Sequence, residues 1–137
     1  MLSTLSDVVT KTRAFFQLHW PQSWGAAPEW ASKWDMNSDH PNHLLSGCYV
    51  LLNSSGGVVY VGKGSQRAKG ALARRLLGHV VHPIPRTRQY EINIERWPTV
   101  VAIHTIAFRD DRSHLALALE AYLIRECPSE RNIHGRA

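Results

Sequence analysis

The sequence predicts an α+β fold, in which helices flank a small three-stranded antiparallel β-sheet and a helical, tryptophan-rich extension precedes it. Two apolar, β-favouring runs surround a turn-rich loop at 53–57, which indicates a β-hairpin. A third apolar run covers 99–108, and helical patterns lie at 68–79 and 113–126. The resulting order, β-β-α-insert-β-α, favours a small antiparallel sheet with helices packed against it.

Residues 1–45 form the extension, and we treat 46–137 as a separate domain. An apolar stripe over roughly 5–19 predicts a helix that ends before Pro21. Four of the five tryptophans lie in the extension: Trp20, Trp24, Trp30 and Trp34. These side chains could stack on unpaired bases, or they could pack the extension onto the domain. We favour packing, because buried aromatic side chains outnumber those that stack on bases.

The hairpin places two tyrosines close together in space. Because side chains alternate across a strand, we expect Tyr49 to share a face with Leu51. By the same rule, we expect Tyr60 to share a face with Val58 and Gly62. The hairpin can therefore present both phenols on one surface.

A basic helical segment at 68–79 follows the hairpin. Arg75 and His79 are four residues apart, so they lie on one face of the predicted helix. Three prolines in the insert at 80–98 argue against a continuous helix there and indicate an irregular, basic segment.

The run at 99–108 is the best candidate for the third strand. The polar residues at 110–113 then offer a helix N-cap. Apolar positions such as Leu119 and Leu123 give the last helix a buried face, and Pro128 ends it.

The composition limits the classes of protein that fit. Sixteen Lys and Arg residues against eleven Asp and Glu residues give a formal charge of +5, which suits a polyanionic partner because neutralising phosphates releases counterions. Many basic proteins nevertheless bind no nucleic acid.

With only Cys48 and Cys127, we expect neither a disulfide framework nor a cysteine-rich zinc site. The sequence starts without a secretory signal pattern and has no apolar run near the ~18 residues of a membrane span, so we expect a cytoplasmic protein with no membrane partner.

Eight residues, in order along the chain, resemble the motif set of the GIY-YIG nuclease superfamily. They are Tyr49, Tyr60, Gly62, Lys63, Arg75, His79, Glu120 and Asn132. The first two motifs read Gly47-Cys48-Tyr49 and Tyr60-Val61-Gly62, in which Cys48 and Val61 replace the usual isoleucines. Each motif alone is a weak signal, because short tripeptides recur by chance, but the ordered set is a strong one. The resemblance covers roughly 46–133.

The resemblance implies a metal-dependent endonuclease that hydrolyses phosphodiester bonds, with DNA as the expected substrate. It also implies that Glu120 binds one Mg²⁺ or Mn²⁺ ion, and that Tyr49 is the general base toward water with Tyr60 assisting. Mg²⁺ often takes only one or two carboxylates besides water and phosphate. Neighbouring cations such as Lys63 and Arg75 would favour the phenolate of a tyrosine.

The other site residues have narrower expected roles. Arg75 offers a planar fork for a phosphate, and His79 could bind phosphate or shuttle a proton. The resemblance implies that Lys63 orients the water or a tyrosine and that Asn132 braces the active site. We expect six basic residues to hold nucleic acid: Lys63, Arg67, Lys69, Arg74, Arg86 and Arg88.

Each of these assignments has a structural alternative. Glu120 could be a solvated helix carboxylate, the two tyrosines could simply pack across the strands, and His79 could cap helix carbonyls. Asn132 could be a turn residue. At the level of function, the alternatives are a non-catalytic nucleic-acid-binding module on the same fold, and an RNase or antibacterial nuclease toxin, because chemistry at phosphate does not read the base.

Overall fold

The computed structural model describes residues 1–37, 45–64 and 71–132. Within these ranges there are three α-helices and five β-strands: α1 (Leu5–His19), β1 (Ser46–Asn53), β2 (Val58–Gly64), α2 (Ala71–His79), β3 (Val81–Pro83), β4 (Tyr90–Ile92), β5 (Val100–Phe108) and α3 (His114–Glu126). None of the helices in this part of the chain has the length and apolar character needed to cross a bilayer.

Strands β1, β2 and β5 form an antiparallel sheet with β1 in the centre, in the order β2-β1-β5. Tyr49 in the middle of β1 lies opposite Gly62 on β2 and Thr105 on β5. The predicted α+β fold with a three-stranded antiparallel sheet and flanking helices is therefore confirmed.

The two faces of this sheet are covered by different elements. On one face, α1 and α3 pack against strand residues that include Cys48, Val50 and Val61. On the other face, α2 and the segment around β3 and β4 pack against Tyr49 and Leu51. Tyr49 and Leu51 thus share a face, as the alternation predicts.

A β-bulge alters the expected alternation on β2. Leu51 pairs with Tyr60, but Leu52 pairs with Val58, so Val59 is the extra residue. Val58 consequently packs on the face of α1 and α3, while Val59 and Tyr60 pack on the face of α2. The prediction that Tyr60 shares a face with Val58 is wrong, because a bulge interrupts the period of two. Tyr60 and Gly62 both follow the bulge, so the bulge does not alter the predicted alternation between them.

Two further sequence predictions need correction. The insert at 80–98 is not irregular throughout, because β3 and β4 pair as a short antiparallel hairpin. The segment 110–113 does not cap α3: Asp110–Arg112 is a turn of 3₁₀-helix, and Ser113 already has helical dihedral angles and makes no side-chain cap bond. The first residues of the helix predicted at 68–79 lie outside the described ranges, and the rest is α2.

The extension packs onto the sheet through aromatic side chains and backbone bonds. Helix α1 starts with a capping box between Thr4 and Asp7 and buries Phe15 and Phe16 in the same apolar cluster as α3. The backbone amides of Ala31 and Trp34 donate to carbonyls of β5, which covers an edge that would otherwise be open to pairing. Trp34 is buried, and the other three tryptophans of the extension pack against the core, as the packing interpretation predicts.

Candidate active site

Glycine at position 62 makes room for the phenol of Tyr49. The two residues lie directly opposite each other on β1 and β2. A methyl group at Gly62 would overlap the ring and the hydroxyl of Tyr49. Only the absence of a side chain lets a full tyrosine lie flat across the neighbouring strand at this point.

The two tyrosines lie side by side, as predicted. Their ring centroids are 6.1 Å apart, and Tyr60 is also 5.1 Å from the ring of Trp97. Tyr49 is only 1% exposed, whereas Tyr60 is half-buried. Tyr60 is therefore the tyrosine with direct access to solvent.

Both tyrosines line a cavity of about 120 Å³ at the end of α2. The cavity is also lined by Arg75 and His79 of α2 and by Arg96, Trp97 and Arg131. A larger cavity, about 750 Å³, lies between α1 and the segment 20–30. Of the described residues that line it, Arg13 and Glu29 are charged and none is a Tyr, His or Lys. The predicted site residues Tyr49, Tyr60, Arg75 and His79 line the smaller cavity instead.

Arg75 and His79 are in direct contact on one face of α2. Arg75 Nη1 lies 2.8 Å from His79 Nε2. A guanidinium can only donate, so Nε2 accepts and the proton of the neutral ring is on Nδ1. Burial, Arg75 and Arg96 together lower the pKa of His79, which keeps the ring neutral. His79 Nδ1 is buried and has no hydrogen-bond partner among the described residues.

Tyr49 holds its proton firmly. Burial raises its pKa above the usual range and Tyr60 adds to the increase, while a hydrogen bond and the charge of Arg75 act in the opposite direction. Arg75 favours the phenolate of Tyr49, as predicted, but desolvation of the buried oxygen outweighs this effect and raises the pKa overall.

Glu120 lies on α3 close to this group. Its side chain is half-buried, and burial raises its pKa against the opposing charges of Lys63 and Arg75. Its charge also reaches Tyr49, whose pKa it helps to raise. Glu120 is therefore not a fully solvated helix carboxylate. Within residues 1–37, 45–64 and 71–132, no group of three or more His, Cys, Asp or Glu side chains could hold a metal ion.

Lys63 and Cys48 lie opposite each other where β1 and β2 pair. Lys63 is half-buried and its charge lowers the pKa of Glu120. The Cys48 thiol is completely buried and donates to the carbonyl of Ala116, and burial strongly raises its pKa. Cys48 is therefore a core residue.

Asn132 is buried against the outer edge of β2. Its Oδ1 accepts from the Val61 amide at 2.6 Å, and its Nδ2 donates to the Val61 carbonyl at 2.9 Å. The side chain thus pairs with β2 as the backbone of another strand would. Asn132 also contacts Ser129 through two local hydrogen bonds, so it closes a turn and fixes the strand of Tyr60 at the same time.

Several residues expected to hold nucleic acid lie away from the cavity. Arg74 is exposed on α2, and Arg86 and Arg88 are exposed in the turn between β3 and β4; none of them lines the cavity. Arg67 and Lys69 lie outside the described residues.

Three residues that the sequence did not single out as site residues line the cavity: Arg96, Trp97 and Arg131. Trp97 is the one tryptophan outside the extension, and Arg131 directly precedes Asn132. Both positions can be seen in the sequence. Their place at the cavity, however, depends on the packing of the insert against the edge of the sheet, which the sequence alone does not show.

Comparison of the chain with protein-family models, with curated proteins and with solved structures finds no match.

Proposed function

We propose that the chain is a metal-dependent endonuclease of the GIY-YIG type, which hydrolyses phosphodiester bonds with DNA as the expected substrate. The observation that carries the proposal is the gathering of Tyr49, Tyr60, Arg75 and His79 around one cavity, with Glu120 close enough to act on their charges. The hairpin brings the two tyrosines together and α2 pairs the arginine with the histidine, but the spacing along the chain gives no simple reason for these two pairs and Glu120 to meet.

The protein's own side chains supply most of the required chemistry. Arg75 presents a fork that binds phosphate oxygens and stabilises the charge that develops on them. The hydroxyl of Tyr60 reaches solvent and orients the attacking water. Tyr49 is the proposed general base, and its high pKa makes it a strong base that is only sparsely ionised at neutral pH.

Glu120 fits a hard divalent cation as an oxygen ligand. A carboxylate whose pKa is raised by loss of water gains from a bound cation, and Mg²⁺ commonly uses one carboxylate together with water and phosphate. When bound, such an ion stabilises charge on the phosphate and on the leaving oxygen.

The proposal also includes a reducing, cytoplasmic setting. The two cysteines are buried and form no disulfide, which agrees with that setting.

One observation favours a second candidate, a non-catalytic nucleic-acid-binding module. Tyr49 is almost fully buried and keeps its proton, whereas the arginines of the cavity remain suited to bind phosphate. The two candidates differ in one measurable respect, which is whether bound nucleic acid is cut.

The test is incubation of the purified protein with labelled duplex, single-stranded and branched DNA and with RNA, in Mg²⁺, in Mn²⁺ or in EDTA. We expect cleavage with either metal and none in EDTA. Cleavage of RNA alone would favour the RNase or toxin alternative, and binding of nucleic acid without cleavage would favour the non-catalytic module.

Glu120→Gln isolates the metal ligand, with Glu126→Gln on the same helix as its matched control. Burial raises the pKa of Glu120, which means that its negative charge is disfavoured in the folded protein. Because glutamine carries no charge, we expect an unchanged or slightly higher melting temperature together with loss of cleavage. Because the raised pKa lets Glu120 protonate at higher pH than an ordinary glutamate, wild-type activity should decline early on acidification. Full activity of Glu120→Gln would contradict the metal assignment.

A further inference from the structure

The cavity is lined by two arginines that the proposed chemistry does not use. Arg96 and Arg131 are exposed side chains that line it together with Arg75 and His79. They come from distant parts of the sequence, one just before β5 and the other from the segment after α3. Trp97 is buried and also lines the cavity.

Specific contacts hold the side chain of Arg131 in place, and Arg96 takes part in them through its backbone carbonyl. The guanidinium of Arg131 lies over the ring of Trp97, 4.2 Å from its centroid, and Arg131 Nη1 donates to the Arg96 carbonyl at 2.6 Å. Trp97 in turn donates from Nε1 to the carbonyl of His79 at 2.5 Å. One tryptophan therefore contacts both the end of α2 and the guanidinium of Arg131, whose plane it fixes.

One carboxylate, that of Glu120, is close enough for the charge of Arg75 to lower its pKa, but a single negative charge does not balance three guanidinium groups. The ion pairs seen in the described part of the chain involve Asp111 and Glu91, and none involves Arg75, Arg96 or Arg131. Among the described residues, no acidic side chain lines the cavity. Arg96 is also close enough to His79 to lower its pKa. Three guanidinium groups around one small space favour an anion there.

The size of the cavity indicates which anion. A volume of about 120 Å³ is well below the roughly 300–1,000 Å³ of pockets that enclose drug-sized ligands. It leaves room for phosphate oxygens and waters but not for a whole nucleotide, so the sugars and bases of a bound strand would lie outside it. Trp97 is only 4% exposed, so its ring is covered and does not offer a stacking surface to a base.

We propose that Arg96 and Arg131, the latter positioned by Trp97, form a second phosphate-binding site that holds a backbone phosphate next to the one contacted by Arg75. The proposal rests on the proposed function for the identity of the ligand, a phosphodiester of a nucleic-acid strand. The insert and the segment after α3 then act together: because they fix a second phosphate beside the first, the strand can enter the cavity in only one register. Arg96 and Arg131 are thus binding residues, and Trp97 is a positioning residue.

The first experiment measures oligonucleotide binding as a function of salt, in EDTA so that no cleavage occurs. One phosphate contact fewer should lower the slope of log K against log salt by about 0.9 for duplex and about 0.7 for single-stranded substrate. We expect that decrease for the Arg96→Gln/Arg131→Gln double variant, and no change for Arg125→Gln, which removes one charge from the far end of α3. The single variant Arg96→Gln guards against a folding defect, because the structural hydrogen bonds of Arg96 come from its backbone.

The second experiment titrates inorganic phosphate into the protein and follows the Trp97 indole N–H and the ring signals of His79 by NMR. We expect saturable shifts in the wild type and in Arg125→Gln, with an upward shift in the pKa of His79 because the anion offsets the arginine charge. Both effects should be weaker in the double variant, because only Arg75 remains to bind the anion.

The outcomes separate the two proposals. Cleavage of nucleic acid by a double variant with an unchanged salt slope and an unchanged phosphate response would overturn the second site and leave the nuclease intact. Saturable phosphate binding that depends on Arg96 and Arg131, in a protein that neither binds nor cuts nucleic acid, would support the anion site and contradict the nuclease.

Discussion

At the scale of single residues, burial of Tyr49 decides the protonation state from which the site starts. The phenol lies under Tyr60 and against Gly62, and its pKa is raised mainly by loss of water. A base with such a pKa is ionised in only a small fraction of molecules at neutral pH, and that fraction rises tenfold with each pH unit.

We expect Tyr49→Phe to lose about 10²–10⁴-fold in kcat, the range that general-base catalysis contributes. Only a hydroxyl is removed and the ring stays packed, so the melting temperature should change little. In the wild type, log kcat should rise with pH through the neutral range, because deprotonation of Tyr49 limits the rate.

Rate measurements from pH 6 to 9 on both proteins check this prediction. The rise with pH should disappear in Tyr49→Phe, and Tyr122→Phe, a tyrosine on α3 that packs against Phe15, serves as the control. A loss of less than a few-fold in Tyr49→Phe would assign Tyr49 to strand packing.

Gly62 has no side chain, and this leaves room for the ring and hydroxyl of Tyr49. We expect Gly62→Ala to destabilise the protein by about 1–3 kcal/mol, the usual cost of overpacking, and to displace the Tyr49 hydroxyl from Arg75. Gly78→Ala is the matched control, because Gly78 has no neighbouring atom that a methyl group would meet. In a helix that change should be neutral or stabilising by up to ~1 kcal/mol. Equal stability of the two variants in urea denaturation would contradict the steric role of Gly62.

At the scale of secondary-structure elements, the outer edge of β2 is covered by the segment after α3. The backbone amides of Glu130 and Arg131 donate to the carbonyls of Val58 and Val59, and the side chain of Asn132 continues the pattern at Val61. Tyr60 lies between these contacts, so the segment sets the position of a site residue as well as protecting an edge.

We expect Asn132→Ala to cost at least about 2 kcal/mol of stability, because it leaves the buried amide and carbonyl of Val61 unpaired, at roughly 1–3 kcal/mol each. Asn53→Ala, at the distant hairpin turn where Asn53 accepts from Ser55 and Gly57, should cost less, since water can replace those bonds. Chemical denaturation of both variants measures the difference. A smaller loss for Asn132→Ala than for Asn53→Ala would show that the edge contact is not structural.

The elements also show what the sequence could and could not predict. The hairpin, β5 and the helices follow from local periodicity, and so does the pairing of Arg75 with His79 on α2. The bulge at Val59 does not, because a single extra residue changes no composition and is set by packing on both faces of the sheet. The pairing of β3 with β4 was hidden by the prolines around two very short strands. Arg96 and Arg131 meet only through tertiary contacts across 35 residues.

At the scale of the whole molecule, the extension completes the fold around the sheet. Trp34 lies in the apolar cluster that also contains Tyr49, and its ring is 5.4 Å from Tyr90. Trp30 donates to Thr12 on α1 at 2.9 Å, and Trp24 lies under the guanidinium of Arg112, 4.2 Å from its ring centroid. The tryptophans therefore join α1, β5 and the start of α3.

We expect Trp34→Ala to destabilise the protein by about 3–5 kcal/mol, the usual cost of truncating a buried aromatic residue. Trp24→Ala and Trp30→Ala should cost less, because both rings are partly exposed. Thermal unfolding of the three variants tests the expected order of stability.

Binding of single-stranded oligonucleotides, measured well below each melting temperature, tests whether the tryptophans of the extension stack on bases. If Trp24 or Trp30 stacked on unpaired bases, its removal would weaken binding by ~1–3 kcal/mol per base. We expect unchanged affinity, because these rings face Arg112 and α1, and a loss of binding in the folded variants would instead make the extension part of the substrate-binding surface.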